Sequence, residues 1–191
     1  MTKGRMEAFS DGVLAIIITI MVLEIKVPHT AELSALKSLI PVLLSYILSF
    51  IYIGIYWNNH HHMLHATTRI NGGILWANLH LLFWLSLVPF VTGWMGENHF
   101  ASITMVFYGI VLLMAGIAYV ILQNLIIAKN GKESTLSRAV GNDWKGKISP
   151  VLYVLGIASA FIHEALSGMF YVVVAIIWLI PDKRIEKVVE D

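Results

Sequence analysis

The sequence predicts an all-α integral membrane protein, with six transmembrane helices in one chain and both termini on the cytoplasmic side. Composition is the first observation behind this. Of 191 residues, 58% are hydrophobic and 13% charged, whereas a soluble domain carries about 25% charged residues. The second is a series of apolar segments at about 6–26, 36–60, 70–93, 101–127, 149–163 and 166–181, most of them near the roughly 20 residues a bilayer requires. The third is the placement of Lys and Arg. With six spans, eleven of the 13 basic residues share the side of the N-terminus, the 2–3 and 4–5 connections and the C-terminus, leaving Lys26 and Lys37 opposite. Positive charge gathers on the cytoplasmic face, so both termini are expected there. Residues 1–191 then form a single six-helix unit in the bilayer.

Several classes are excluded at the same stage. A net charge of +1, with no stripe of Lys or Arg, leaves nothing to neutralise nucleic-acid phosphates. Cysteine is absent, so disulfides and thiolate metal sites are ruled out. The first apolar run does not read as a signal peptide, because Glu24, Lys26 and Pro28 follow it without a small-residue cleavage pattern. No internal duplication is visible.

The first segment is the most informative. Its uncharged core, Gly12 to Leu23, is 12 residues, about 18 Å of helix, with Asp11 and Glu24 at its ends. At 100° per residue, Ile16, Thr19, Ile20 and Leu23 fall in one stripe, with Gly12 on its cytoplasmic extension. Asp11 points away from that stripe. A charge in hydrocarbon costs about 2.5–3.5 kcal/mol even on the lenient insertion scale, so Asp11 needs a partner, and one on another helix is expected.

The second segment ends in "YWNNHHHMLH" and the third opens with "NGGILWANLH", and these supply the candidates. In a metal reading, His61 and His65 share a helix face, with His62 and His80 nearby. In a structural reading, His and Asn side chains hydrogen-bond Asp11 and Ser10 and tie the first three helices together, as a membrane interior demands. The second reading is preferred, since no second histidine box exists. Along the rest of the chain, Pro41, Pro89 and Pro150 are tolerable in membrane helices. Gly109 with Gly116, and Gly156 with Ala160, suit close helix packing. Residues 128–147 read as one long polar loop. The last two segments form a hairpin, and Pro181 with "DKR" ends the sixth. His29, Glu97, His99, His163 and Glu164 read as a solvated outer rim.

Arg5, Phe9, Ser10 and Asp11, continuing as Gly12, form the pattern RxxxFSD. With six helices, a His- and Asn-rich end to the second, and "WANLHLLFWLSLVPFVT" in the third, the chain resembles the transmembrane protein 175 family of potassium channels in its small bacterial form. The resemblance implies a homotetramer in a bacterial plasma membrane, with the first helix of each subunit lining a central pore. It implies a hydrophobic constriction at Ile16, with Thr19 one turn on, Leu23 at the outer end, and Ile20 and Gly12 on the same lining face. Arg5, Phe9, Ser10 and Asp11 are implied to belong to a network bracing the first helix. The polar partners expected for it are His60, His61, His62, Trp76, Asn78 and His80.

The expected function is a potassium-permeable cation channel, with no catalytic residue, no bound cofactor, and K+ or other monovalent cations as the permeant partners. Four Ile16 side chains would block ions by dewetting, Thr19 hydroxyls would partly replace a cation's hydration, and Glu24 would attract cations at the outer mouth. No TVGYG filter is present. The alternatives are a proton-coupled secondary transporter using Asp11 and the His cluster, and a membrane enzyme using that cluster.

Overall fold

The computed structural model describes residues 2–131, 133–141 and 143–179, and these form nine helices. In chain order they are α1 (Lys3–Leu23), α2 (Leu33–Lys37), α3 (Ile40–His65), α4 (Gly72–Ser86), α5 (Val88–Glu97), α6 (Ser102–Asn130), α7 (Thr135–Val140), α8 (Trp144–Ser159) and α9 (Glu164–Leu179). Four stretches are long and apolar enough to cross a membrane: α1, α3, α6 and the α4–α5 pair taken together. The helices α8 and α9 have 16 residues each, about 24 Å, and α9 reaches the end of the described residues. The expected stop at Pro181, and Lys132, Lys183, Arg184 and Lys187 of the charge count, lie outside them.

The element boundaries depart from the sequence reading where proline and capping residues act. Pro41 stands in the first turn of α3, where its missing N–H is no loss, so the helix starts there and runs through the histidines to His65. Pro89 has no N–H for the Leu85 carbonyl, and the third segment breaks there into α4 and α5. The Leu87 amide bonds back to Trp84 instead. The supposed polar loop is largely helical. Ser134 caps α7 by accepting from the Ser137 amide, and α7 buries Leu136 and Ala139. Asp143 caps α8 by accepting from the Gly146 amide at 2.8 Å, which starts that helix at Trp144.

Packing divides the molecule into two parts that share α6. On one side α1 packs against α3, α4 and α5, and α4 packs along α6. On the other, α6 packs with α8 and α9. Four buried tyrosines, Tyr52, Tyr108, Tyr153 and Tyr171, meet in this second part with ring centroids 5.7–6.5 Å apart. Gly109 and Gly156 make room for them: a Cβ at either position would collide with the Tyr171 side chain. These glycines thus admit a side chain between helices. Asn130 closes the bundle below, accepting from the Thr68 and Arg69 amides and the Thr68 hydroxyl while donating to the Arg69 and Ile126 carbonyls. One amide side chain thereby fixes the α3–α4 connection to the end of α6.

Candidate functional site

The helix α1 has two distinct faces, produced by its three- and four-residue spacing. Met6, Ser10, Leu14, Ile17 and Met21 are buried against α3, α4 and α5. Gly12, Ile16, Thr19, Ile20 and Leu23 are exposed, Ile16 by 59% and Leu23 by 79%. The periodic stripe read from the sequence lies within the face that the chain leaves uncovered, which also includes Ala15 and Val22. Thr19 donates its hydroxyl hydrogen back to the helix, with Oγ1 3.0 Å from the Ala15 carbonyl oxygen and 2.9 Å from that of Ile16. Its oxygen lone pairs stay available on the exposed side.

The buried face is positioned by polar contacts at the N-terminal half. Ser10, fully buried, donates to the Met6 carbonyl at 2.8 Å and accepts from the Asn78 amide nitrogen at 2.9 Å. The Asn78 carbonyl oxygen then faces His60 Nε2 at 2.7 Å. Since that oxygen can only accept, His60 carries its hydrogen on Nε2. His60 Nδ1 is left as a buried acceptor with no hydrogen-bond partner among the described residues.

A second set of contacts runs along the neighbouring edge. Trp57 donates its indole N–H to Asp11 Oδ1 at 3.1 Å. His61 Nδ1 lies 3.3 Å from Glu7 Oε1, and Lys3 donates to the His65 carbonyl at 3.0 Å. Residues 3, 7 and 11 of α1 thus meet 65, 61 and 57 of α3 as an antiparallel ladder in steps of four, the helical neighbour spacing. The rings of Trp57, His61 and His65 stack along it.

Two of the expected partners face elsewhere. Trp76 is 75% exposed on α4, and His80 accepts from Trp84 one turn along its own helix. Their place is taken by Trp57 for Asp11 and by Asn78 with His60 for Ser10. His62 is partly exposed, and Arg5 and Phe9 lie on the exposed side of α1. Glu7 and Lys3 were missed as contact residues. The matching four-residue steps of Glu7–Asp11 and Trp57–His61 were the available signal. Among the described residues, no three His, Asp or Glu side chains are placed to hold a metal ion.

At the other end of α1, Glu24 is the exposed C-terminal cap and borders an open groove with Ile16, Ile20, Phe90 and Trp94. The groove encloses about 1270 Å³ of empty space, mouth included. Beside it, Lys26 pairs with Glu97. The hydrogen bond and charge of that carboxylate raise Lys26 above the usual lysine value.

Known proteins match this architecture. A family model described as endosomal/lysosomal potassium channel TMEM175 matches residues 5–89. A potassium channel of Chryseobacterium sp. (strain P1-3) is 58% identical over 187 residues, covering 98% of this chain and 97% of that one. A potassium channel of Streptomyces collinus is 34% identical over 125 residues, 61% of each chain. The crystal structure of a lysosomal potassium-selective channel TMEM175 homolog from Chamaesiphon minutus superposes with a TM-score of 0.83 at 31% identity, covering 94% of this chain and 97% of that one. With near-complete overlap of both a sequence relative and a solved structure, the chain belongs to the TMEM175 family.

Proposed function

We propose that this chain is one subunit of a potassium-permeable channel in a bacterial plasma membrane, with four copies surrounding a pore lined by α1. On this reading residues 1–191 are one domain, the α8–α9 hairpin completes six spans, and both termini face the cytoplasm. Permeation involves no covalent step, so no residue is assigned a catalytic role. The relatives named as potassium channels support the activity, because the matches span 98% and 94% of this chain.

The observation that carries the proposal is the two-faced α1. A helix with one face held by specific hydrogen bonds and the other, with Gly12, Ile16, Thr19, Ile20 and Leu23, left bare is suited to lining a shared space. A single copy cannot enclose one, so oligomerisation is required. Four Ile16 side chains would form a dry constriction. Thr19, with its hydrogen directed to its own helix, would offer oxygens to a partly dehydrated cation. Glu24 would raise cation concentration at the outer mouth. The Ser10–Asn78–His60 and Asp11–Trp57 contacts, with Arg5 and Phe9 of the same motif beside them, would set the rotation of α1 and hence the position of Ile16. Asp11 and His60 belong to two separate bonded pairs, which suits a brace better than the proton relay of a secondary transporter.

The test is single-channel recording of the purified chain in planar bilayers, with K+, Na+ and Cs+ on opposite sides. Replacing Ile16 by Asn should wet the constriction and raise the current about fivefold or more, with weaker discrimination among the three ions. Unchanged conductance and selectivity would remove Ile16 from the pore.

A further inference from the structure

We propose that Lys26, held in place by Glu97, is a fixed positive charge that limits cation entry at the outer end of α1, with Glu97 as its positioning residue. This rests on the reading of α1 as the lining of a pore, and it names the residues that set how strongly the mouth gathers ions.

The geometry starts from the end of α1. Lys26 stands two residues beyond Glu24, the exposed C-terminal cap of that helix. Its ammonium pairs with the carboxylate of Glu97, the last residue of α5. Glu24 leans on the same helix one turn earlier: a Cβ at Gly93 would stand 3.9 Å from Glu24 Oε2, and residues 93 and 97 are neighbours on a helix surface. Both carboxylates border the groove that holds Ile16 and Ile20 of the bare face. Both also border, with Lys26, the hollow beside it. Three charged side chains from two helix ends therefore share one corner next to the α1 stripe.

The ion pair adds little to the fold. Its side chains are 80% and 48% exposed, and exposed pairs contribute little to stability. Its effect on the local field is larger. A lysine on a flexible four-carbon stem would otherwise spread its charge over a wide volume of solvent. Glu97 confines it to the corner. The hydrogen bond and charge of Glu97, and then the charge of Glu24, hold its proton more tightly than an ordinary lysine does, so the corner keeps its cation at neutral pH. Pairing does not erase that charge. With Lys26 present, Glu24 and Glu97 leave one net negative charge per subunit at the mouth; without it they would leave two. An entering K+ responds to that net field, which sets its local concentration.

The experiment is single-channel recording of the full chain in planar bilayers of neutral lipid, with KCl at 10 mM and then at 1 M on both sides. The Debye length is about 30 Å in the first case and about 3 Å in the second, so the charges of the mouth reach the entering ion only at low salt. Lys26→Met should raise the K+ current at 10 mM about threefold, with the ratio to native falling towards one at 1 M. Glu97→Gln should lower the 10 mM current by about the same factor, since the lysine stays and the mouth loses a negative charge. The double variant, Lys26→Met with Glu97→Gln, has the native net charge and should return to the native current at both concentrations. That return is what a purely structural strap would not give. A Lys26→Met current equal to the native one at 10 mM, or ratios that stay the same at both concentrations, overturns the proposal. So does a double variant that remains displaced from the native current. A native chain that carries no K+ current removes the channel reading and this inference with it, whereas a conducting chain whose variants all match it removes this inference alone.

Discussion

The two parts of the bundle on either side of α6 combine ring packing and hydrogen bonding in different proportions. Where α1 meets α3 and α4, the contacts are small directional hydrogen bonds: Ser10 to Asn78, Asn78 to His60, Trp57 to Asp11. Where α6 meets α8 and α9, tilted tyrosine rings admitted by Gly109 and Gly156 pack together, and the Tyr171 hydroxyl and the Trp178 indole donate to the Met105 carbonyl and the Ser149 hydroxyl. Lipid tails are as apolar as leucine, so hydrophobicity alone does not drive helices together in a membrane. Each part therefore needs another means of association. Shape fixes the distance between helices in the tyrosine part. Hydrogen bonds fix the rotation of a helix about its own axis in the α1 part. The second property matters for α1, because turning it by one residue, 100°, would replace Ile16 on the bare face by a neighbour.

This comparison can be broken most severely from the tyrosine side. Gly109→Leu puts a branched side chain where the Tyr171 hydroxyl and ring already stand. Overpacking of this kind costs about 3 kcal/mol or more. The expected outcome is a large fall in melting temperature in detergent, and a melting temperature equal to the native one would show that Tyr171 moves aside freely.

A smaller effect is expected on the polar side. Asn78→Leu leaves the Ser10 hydroxyl oxygen and His60 Nε2 without their partner, and such interhelical bonds in membranes contribute about 1–2 kcal/mol. Its signature should lie in function more than in stability. With the rotation of α1 released, single-channel current histograms should broaden into several conductance levels. A single sharp level identical to the native one would mean that the hydrogen bonds do not set the rotation.

The smallest change sharpens the comparison without breaking it. Asp11→Asn keeps an oxygen that can accept from Trp57 Nε1, so stability should shift by less than about 0.5 kcal/mol. A loss several times larger, measured by chemical denaturation in micelles, would show that α1 is held by the charge of Asp11 and not by hydrogen bonding.

The legible parts of the molecule were those written locally. The bare stripe of α1 followed from the spacing of Ile16, Thr19, Ile20 and Leu23, and the need of Asp11 for a partner on another helix followed from its charge and short side chain. The identity of that partner did not follow. Trp57 and Trp76 both lie in polar stretches near the same end of their helices, and only the rotations of α3 and α4 direct one to Asp11 and leave the other exposed. His80 looked equally available, yet an intrahelical partner at Trp84 takes its ring nitrogen. The break at Pro89 and the cap at Asp143 were readable in principle. Apolar continuity masked the first, and the polarity of the surrounding residues masked the second.

By itself the sequence determined the membrane class, the order of apolar segments, the two-faced first helix and the family, because composition, periodicity and a short motif are properties of neighbouring residues. Tertiary structure alone decided which polar side chains pair and how four tyrosines share one space. Asp11 and Trp57 are 46 residues apart, and Ser10 and Asn78 are 68 apart. Contacts at that separation depend on the rotation and depth of whole helices, which are set by all their packed neighbours together and not by any one stretch of chain.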